Sequence, residues 1–211
     1  LVTAGPTYEK IDPVRFIGNY STGKMGYAIA DEAASRGADV TLVSGPVSIS
    51  PSNPAVKVVR VESARQMLAA CEHEFGDTDI AVFAAAVADY APANAAEHKI
   101  KRKTDDVNSI DLVMNPDIAA TLGAHKGDGQ LTVGFALETD DEQANACKKM
   151  QQKNLDMIVL NSLRDKGAGF GTDTNVITIY GSDGNEAHFD LRTKKECASD
   201  IVDAIEKRLC R

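Results

Sequence analysis

No two of the four cysteines, Cys71, Cys147, Cys197 and Cys210, stand in a CxxC pair, and the four histidines are just as scattered. That spacing speaks against a zinc site or a disulfide framework and leaves reduced, mostly buried thiols, as in a cytosolic protein. No apolar run approaches the ~18 residues that a transmembrane helix needs. Positive charge is in deficit: 23 Lys and Arg against 31 Asp and Glu give a net charge of −8. An acidic chain is a poor partner for bulk nucleic acid or an anionic membrane, although a local basic patch can still bind one small anion. Internal repeats, low-complexity tracts and strong linkers are missing too, so one domain over 1–211 is expected. There is no signal peptide, and residue 1 is Leu inside an apolar stretch in place of an initiator Met. The expectation is a piece cut from a longer chain.

The rest is ordinary globular material. With 43% apolar and 26% charged residues, wholesale disorder is excluded. A chain of this length buries about 70% of its unfolded surface and needs no staples. Leu1-Val2-Thr3-Ala4 reads as a buried strand broken by Gly5-Pro6, with a long loop to about Ser21. Residues 24–36 read as a helix closed by Gly37. Strands are expected at 39–43, 56–61, 79–86, 131–136 and 157–161. Ser63 and Gln66 form a capping box that opens a helix to about Phe75. Asn115-Pro116-Asp117 reads as a helix start with Asn115 as N-cap. Residues 141–153 read as a helix and 167–175 as a Gly-rich loop. Residues 176–180 and 186–190 flank a turn at Ser182-Asp-Gly-Asn185, which predicts a β-hairpin. Residues 194–209 form an amphipathic closing helix. This alternation predicts an α/β, Rossmann-like fold: a mostly parallel sheet with helices on both faces, plus the hairpin.

Five stretches carry possible chemistry. Gly18-Asn-Tyr-Ser-Thr-Gly23-Lys24-Met25 nearly fits the phosphate-cradling GxxxxGK[ST] loop, but Met25 stands where a hydroxyl must hold Mg²⁺. A helix N-terminus rich in Gly, Ser and Thr is still an anion site. Tyr20 and Lys24 match YxxxK but precede the first helix, which disfavours a short-chain dehydrogenase. A GxGxxG turn after the first strand and an acid after the second are both missing, which disfavours NAD. Ala84-Ala-Ala-Val-Ala-Asp89-Tyr90 ends a buried strand in small residues, where open α/β sheets bind ligands, and Asp89 can accept from a ribose or base. Lys99-Ile-Lys-Arg-Lys103 packs four cations into five residues and reads as a mobile, phosphate-clamping flap. Lys149 and Lys153 share a helix face.

Ala4-Gly-Pro-Thr7, Asp12-Pro-Val-Arg15, Asn19-Tyr-Ser-Thr-Gly-Lys-Met-Gly26, Ala85-Ala-Val-Ala-Asp-Tyr90, Lys99-Ile-Lys101, Asn115-Pro-Asp117 and Gly134-Phe-Ala-Leu-Glu138 together resemble bacterial phosphopantothenoylcysteine synthetase. That enzyme is the synthetase half of a bifunctional coenzyme A biosynthesis protein whose other half is a flavin-dependent decarboxylase. The resemblance runs over essentially the whole chain. It implies a ligase that activates the carboxylate of 4′-phosphopantothenate with CTP as an acyl-cytidylate, releasing pyrophosphate, and then passes the acyl group to the amine of L-cysteine. It implies that Lys99 serves cytidylate formation, that Asn19 holds the acyl-cytidylate for cysteine, and that Arg15 orients a carboxylate or phosphate. It assigns Gly5, Pro6, Thr7, Ser21, Gly23, Lys24, Ala84, Ala85, Ala86, Asp89, Asn115, Pro116, Asp117, Phe135, Lys149 and Lys153 to the nucleotide crevice. Mg²⁺ accompanies CTP, with no ligand named; FMN enters only if the decarboxylase half is fused. A cytoplasmic homodimer, or a higher oligomer in a longer chain, is implied, with the 176–190 hairpin as the candidate contact and no nucleic acid or membrane as partner. Gly18 departs from a frequent Ser of the family, and Lys103 extends its basic cluster. Two competing readings are a nicotinamide or flavin oxidoreductase and a regulatory nucleotide sensor without catalysis.

Overall fold

The structure is a computed structural model that describes residues 1–101, 109–138, 140–162 and 171–210. In chain order its elements are β1 (Val2–Ala4), β2 (Tyr8–Lys10), β3 (Phe16–Gly18), α1 (Lys24–Ser35), β4 (Thr41–Ser44), β5 (Lys57–Arg60), α2 (Ala64–Phe75), β6 (Ile80–Phe83), β7 (Tyr90–Pro92), β8 (Leu112–Met114), α3 (Ile118–Ala124), β9 (Leu131–Glu138), α4 (Glu142–Gln152), β10 (Met157–Ser162), β11 (Thr174–Gly181), β12 (Glu186–Thr193) and α5 (Lys194–Leu209). One eight-stranded sheet runs β12-β11-β10-β9-β6-β1-β4-β5. The strands from β5 to β10 pair in parallel, and β11 and β12 join antiparallel at one edge. This is the mostly parallel α/β sheet that the alternation predicts, with the expected hairpin at its margin.

Two apolar layers hold it. α1 and α5 cover one face through Tyr27, Ile29, Ala198 and Ile201, and α2, α3 and α4 cover the other through Met67, Cys71, Leu122, Ala146 and Met150. Each fully buried Ile or Leu contributes about 1.5–3 kcal/mol of burial energy. The predicted capping box of α2 forms, with Ser63 accepting from the Gln66 amide. α1 ends as expected at Gly37, where Ala38 donates back to Ala33 and Gly37 to Ala34, a Schellman closure. Arg36 ties that helix to α5 through Asp203 and Ser199, and to its own turn through Glu32. Gly26 lets α1 lie directly on β1: a Cβ there would stand 2.6 Å from Ala4 Cβ.

Two expectations need correction. The loop expected up to Ser21 contains the β2–β3 ladder, clamped by Tyr8 and Phe16 with ring centroids 3.7 Å apart. Three-residue strands are too short to show a periodic pattern. Asn115 is not the N-cap of α3; Asp117 is, accepting from the Ala120 amide at 3.0 Å. Both residues are good caps, and the choice falls to Asp117 because the Asn115 side chain is occupied elsewhere. The flap expected over 99–103 is described only to Lys101; Arg102 and Lys103 lie outside the described residues, as does 167–170 of the Gly-rich loop. Among the described residues no helix is long and apolar enough to cross a membrane.

Candidate functional site

The sheet changes direction between β1 and β6. From β1 the chain moves outward to β4 and β5, and from β6 it moves the other way to β9 and β10. The carboxyl ends of β1 and β6 therefore flank a switch point, where sheets of this type bind ligands. Gly5, Pro6 and Thr7 fill that point. Gly5 holds φ at +78°, and Pro6 bridges to Ala86. The Ala85 amide donates to Thr3 Oγ1 at 3.1 Å, the Ala86 amide to Gly5 O at 2.9 Å, and the Ala88 amide to Thr7 Oγ1 at 3.0 Å. These amides are spent inside the protein, so a ligand at Ala85 and Ala86 meets methyl groups and not free backbone N–H groups. Thr7 is fully buried, and with Gly5 and Pro6 it packs between the ends of β1 and β6. Asn19 is tied to the same place, its Nδ2 donating to Ala86 O at 2.8 Å.

Two cavities lie on either side of Ala85 and Phe135, which line both. The larger, about 360 Å³, brings together Asp89, Asn115, Pro116, Asp117, Phe135, Lys149 and Lys153. Lys149 and Lys153 do share a face and point into it, as the i, i+4 spacing requires. Each is balanced by a carboxylate: Lys149 Nζ sits 2.5 Å from Glu138, and Lys153 Nζ 2.9 Å from Asp117. Asn115 donates to Ala88 O at 2.8 Å, while its Oδ1 is shielded from solvent and has no hydrogen-bond partner among the described residues. A donor on a ligand would satisfy that oxygen.

The smaller cavity, about 150 Å³, gathers Ser21, Gly23, Lys24, Ala84, Ala85 and Ala86 with Asn161, Asn175 and Lys194. Gly23, at φ +76°, opens α1 without a side-chain cap, so the helix presents its amides and its positive end here. Lys24 pairs with Asp173 at 2.6 Å. Lys194 is only 8% exposed, and its amine donates to Thr172 O. Burial, with Lys24 nearby, holds the Lys194 amine below its ordinary range. Two ammonium groups and a helix N-terminus here face the carboxylate of Asp173, an arrangement that favours an incoming anion.

Gly5, Pro6, Thr7, Arg15, Asn19 and Lys99 line neither cavity. Arg15 forks onto the buried Asp12, whose carboxyl the guanidinium holds well below the usual range. Lys99 is exposed on the excursion between β7 and β8, beside a separate hollow formed by 94–100 and 109–111. Among the described residues no group of three or more His, Cys, Asp or Glu could hold a metal. Burial pushes the Cys71 thiol up to about 12 and that of Cys197 to about 11, which removes both as nucleophiles at neutral pH. Sequence reasoning missed Lys194, Asn161, Asn175 and Asp12 as site residues. Only Lys194 left a signal: with Cys197, Ala198 and Ile201 it falls at i, i+3, i+4 and i+7, a lysine on the buried stripe of a helix.

A family model described as the DNA/pantothenate metabolism flavoprotein C-terminal domain matches residues 1–209. The chain is 55% identical over 201 residues to a cysteine/cysteine sulfinic acid decarboxylase of an unidentified prokaryote, covering 95% of this chain and 56% of that protein. It is 46% identical over 208 residues to the coenzyme A biosynthesis bifunctional protein CoaBC of Vibrio vulnificus, covering 98% of this chain and 51% of that protein. The chain thus spans about half the length of the curated relatives it matches. The crystal structure of the C-terminal domain of a CoaBC protein superposes with a TM-score of 0.82 at 46% identity, covering 98% of this chain and 94% of that one.

Proposed function

Because the chain belongs to the DNA/pantothenate metabolism flavoprotein C-terminal domain family, we propose that it is a ligase joining 4′-phosphopantothenate to L-cysteine, with CTP as the activating nucleotide. The observation that carries this reading is the larger cavity. Asp89, Asn115, Pro116, Asp117, Phe135, Lys149 and Lys153, scattered over 65 positions of sequence, converge on one hollow at the carboxyl ends of β6 and β9. An aromatic face, hydrogen-bonding side chains and two lysines suit a base, a ribose and phosphates in turn. The reaction needs a second anionic reactant close by. The smaller cavity, positive and separated from the first by Ala85 and Phe135, suits a phosphorylated partner.

In the proposed sequence, the phosphopantothenate carboxylate attacks the α-phosphate of CTP, and pyrophosphate leaves. Cations must offset the repulsion between the two anions as they meet. Lys99, exposed and bearing a flexible stem, suits the phosphates of the leaving group. The cysteine amine then attacks the acyl carbon, and CMP leaves. Asn19 suits this step: while Nδ2 is fixed on Ala86 O, its Oδ1 has no partner among the described residues and can accept from the incoming amine. Mg²⁺ enters with CTP.

The homodimer and the cytoplasmic location belong to the same proposal, as does FMN for a longer chain that carries the decarboxylase half. Val14, Phe16, Tyr20, Tyr90, Leu112, Val113 and Met114 are all 40% exposed or more and crowd onto β2–β3 and β7–β8. That apolar surface suits a second copy better than the polar tip of the β11–β12 hairpin does.

The decisive experiment mixes the protein with CTP, Mg²⁺ and phosphopantothenate and follows pyrophosphate, then adds cysteine and follows the amide. Pyrophosphate without cysteine, and amide only with it, is the expected result. No pyrophosphate would overturn the reading. Release of CO₂ from cysteine would favour instead the activity named for the 55%-identical relative.

A further inference from the structure

The Asp12 carboxylate is buried at 1% exposure, yet its contacts reach across the molecule. Oδ1 accepts from the amides of Val14 and Arg15, both at 2.8 Å. Oδ2 accepts from Arg15 Nε at 3.1 Å and Nη2 at 2.5 Å, and from the Ile100 amide at 3.1 Å. Arg15 Nη2 in turn donates to Ile100 O at 3.1 Å. The Ile100 residue is thus held at both its N–H and its C=O, and the ring Asp12–Arg15–Ile100 is closed. A backbone bond from Ala96 to Ile11, 2.9 Å, runs beside it. Lys99 is the residue immediately before the clasp, and Asn19 follows Arg15 on the other side.

An aspartate at the head of a turn is common, and an asparagine forms the same turn with its single carbonyl oxygen. A turn alone therefore does not need the second oxygen. Here that oxygen accepts from the Ile100 amide and from the Arg15 Nη2 that also donates to Ile100 O. An asparagine would place an NH₂ group there, against donors from Arg15 and Ile100. We propose that Asp12 is a positioning residue: through Arg15 and the Ile100 backbone it fixes Lys99 relative to the loop that carries Arg15 and Asn19. The inference rests on the ligase reading for its catalytic consequence and on geometry alone for the clasp.

Asp12→Asn separates turn from clasp. The turn survives, so the thermal midpoint should move by no more than about 4 °C. Hydrogen exchange at the Ile100 amide should quicken at least about tenfold, because its acceptor is gone. With CTP and phosphopantothenate, kcat for pyrophosphate release should fall about a hundredfold, as for a misplaced catalytic group, with KM for CTP nearly unchanged. Should Asp12→Asn fail to fold, Arg15→Lys, which keeps the charge but loses the fork, should show the same two changes more weakly. Unchanged exchange at Ile100 would overturn the clasp. Faster exchange with an unchanged kcat would overturn the positioning role. If the wild-type protein releases no pyrophosphate, the ligase reading and the positioning role fall together, while exchange at Ile100 still decides the clasp.

Discussion

Replacing Asn19 by Asp tests the division of labour between the two half-reactions. Nδ2 of Asn19 lies 2.8 Å from Ala86 O, and Asn19 is exposed. A carboxylate oxygen in that place faces a carbonyl oxygen, so the side chain must swing into water and the bond is lost. The net cost in stability is that of one solvent-facing hydrogen bond, about 0.5–1.5 kcal/mol. At about 2–4 °C per kcal/mol for a domain of this size, the fold survives. The chemical cost is larger. An oriented carboxamide beside the acyl carbon disappears, and a negative charge arrives beside a phosphate. Loss of a preorganised polar group of this kind costs about 2.7–4 kcal/mol, or a hundred- to a thousandfold in rate. Formation of the acyl-cytidylate should continue, because Lys99 and Mg²⁺ serve the phosphates. Asn19→Asp should therefore accumulate acyl-cytidylate in the presence of cysteine, seen by mass spectrometry of a quenched reaction. Amide product at the normal rate, or no acyl-cytidylate at all, would refute the reasoning.

Lys99→Gln should reduce pyrophosphate release at least about a hundredfold, roughly 2.7 kcal/mol, even without cysteine; release near the wild-type rate would remove Lys99 from the first step. Lys153→Met removes a cation from the larger cavity and strands Asp117, so KM for CTP should rise about tenfold with kcat less affected, as steady-state kinetics will tell. Gly26→Ala pushes a methyl to 2.6 Å from Ala4 Cβ and 2.9 Å from Thr3 O, which should lower stability by about 1–3 kcal/mol in thermal or denaturant unfolding. Asp12 is held ionised well below the usual carboxylate range, chiefly by Arg15. Its contribution is therefore complete above the unfolded value near 4 and is lost only as pH falls through the lower folded value. The gap in thermal midpoint between wild type and Asp12→Asn should stay constant from about pH 7 to 5 and narrow only below about pH 4.

The framework was legible wherever the physics is local. Apolar runs such as residues 131–136 and 157–161 became β9 and β10, because a strand covered on both faces needs no alternation. Ser63 and Gln66, or Ser182 to Asn185, act through neighbours three or four residues away. Elements held together by distant partners were not legible. β7 and β8 pair across a long intervening stretch, and neither shows a pattern of its own. The i, i+4 spacing placed Lys149 and Lys153 on one face, but nothing local told of Glu138 and Asp117 waiting opposite. The role of Asp12 was not legible because its partner Ile100 lies 88 positions away. The Ala84 to Ala86 stretch does follow the end of a strand, but the fate of the Ala85 and Ala86 amides depended on Thr3 and Gly5.

The closing helix α5 lies against α1, and its first residue, Lys194, walls the smaller cavity whose other side is the α1 N-terminus. During synthesis α1 must wait for α5. Until α5 emerges, Tyr27, Ile29 and the outer face of the central strands stand open to water, and the cavity at Gly23 lacks its far side. Most of the sheet is then already made. The nascent domain should pass through a late stage that has its α2–α4 face buried and its α1 face sticky, a target for holding chaperones. A ribosome stalled before α5 should carry a chain with structure but with the smaller cavity open on one side.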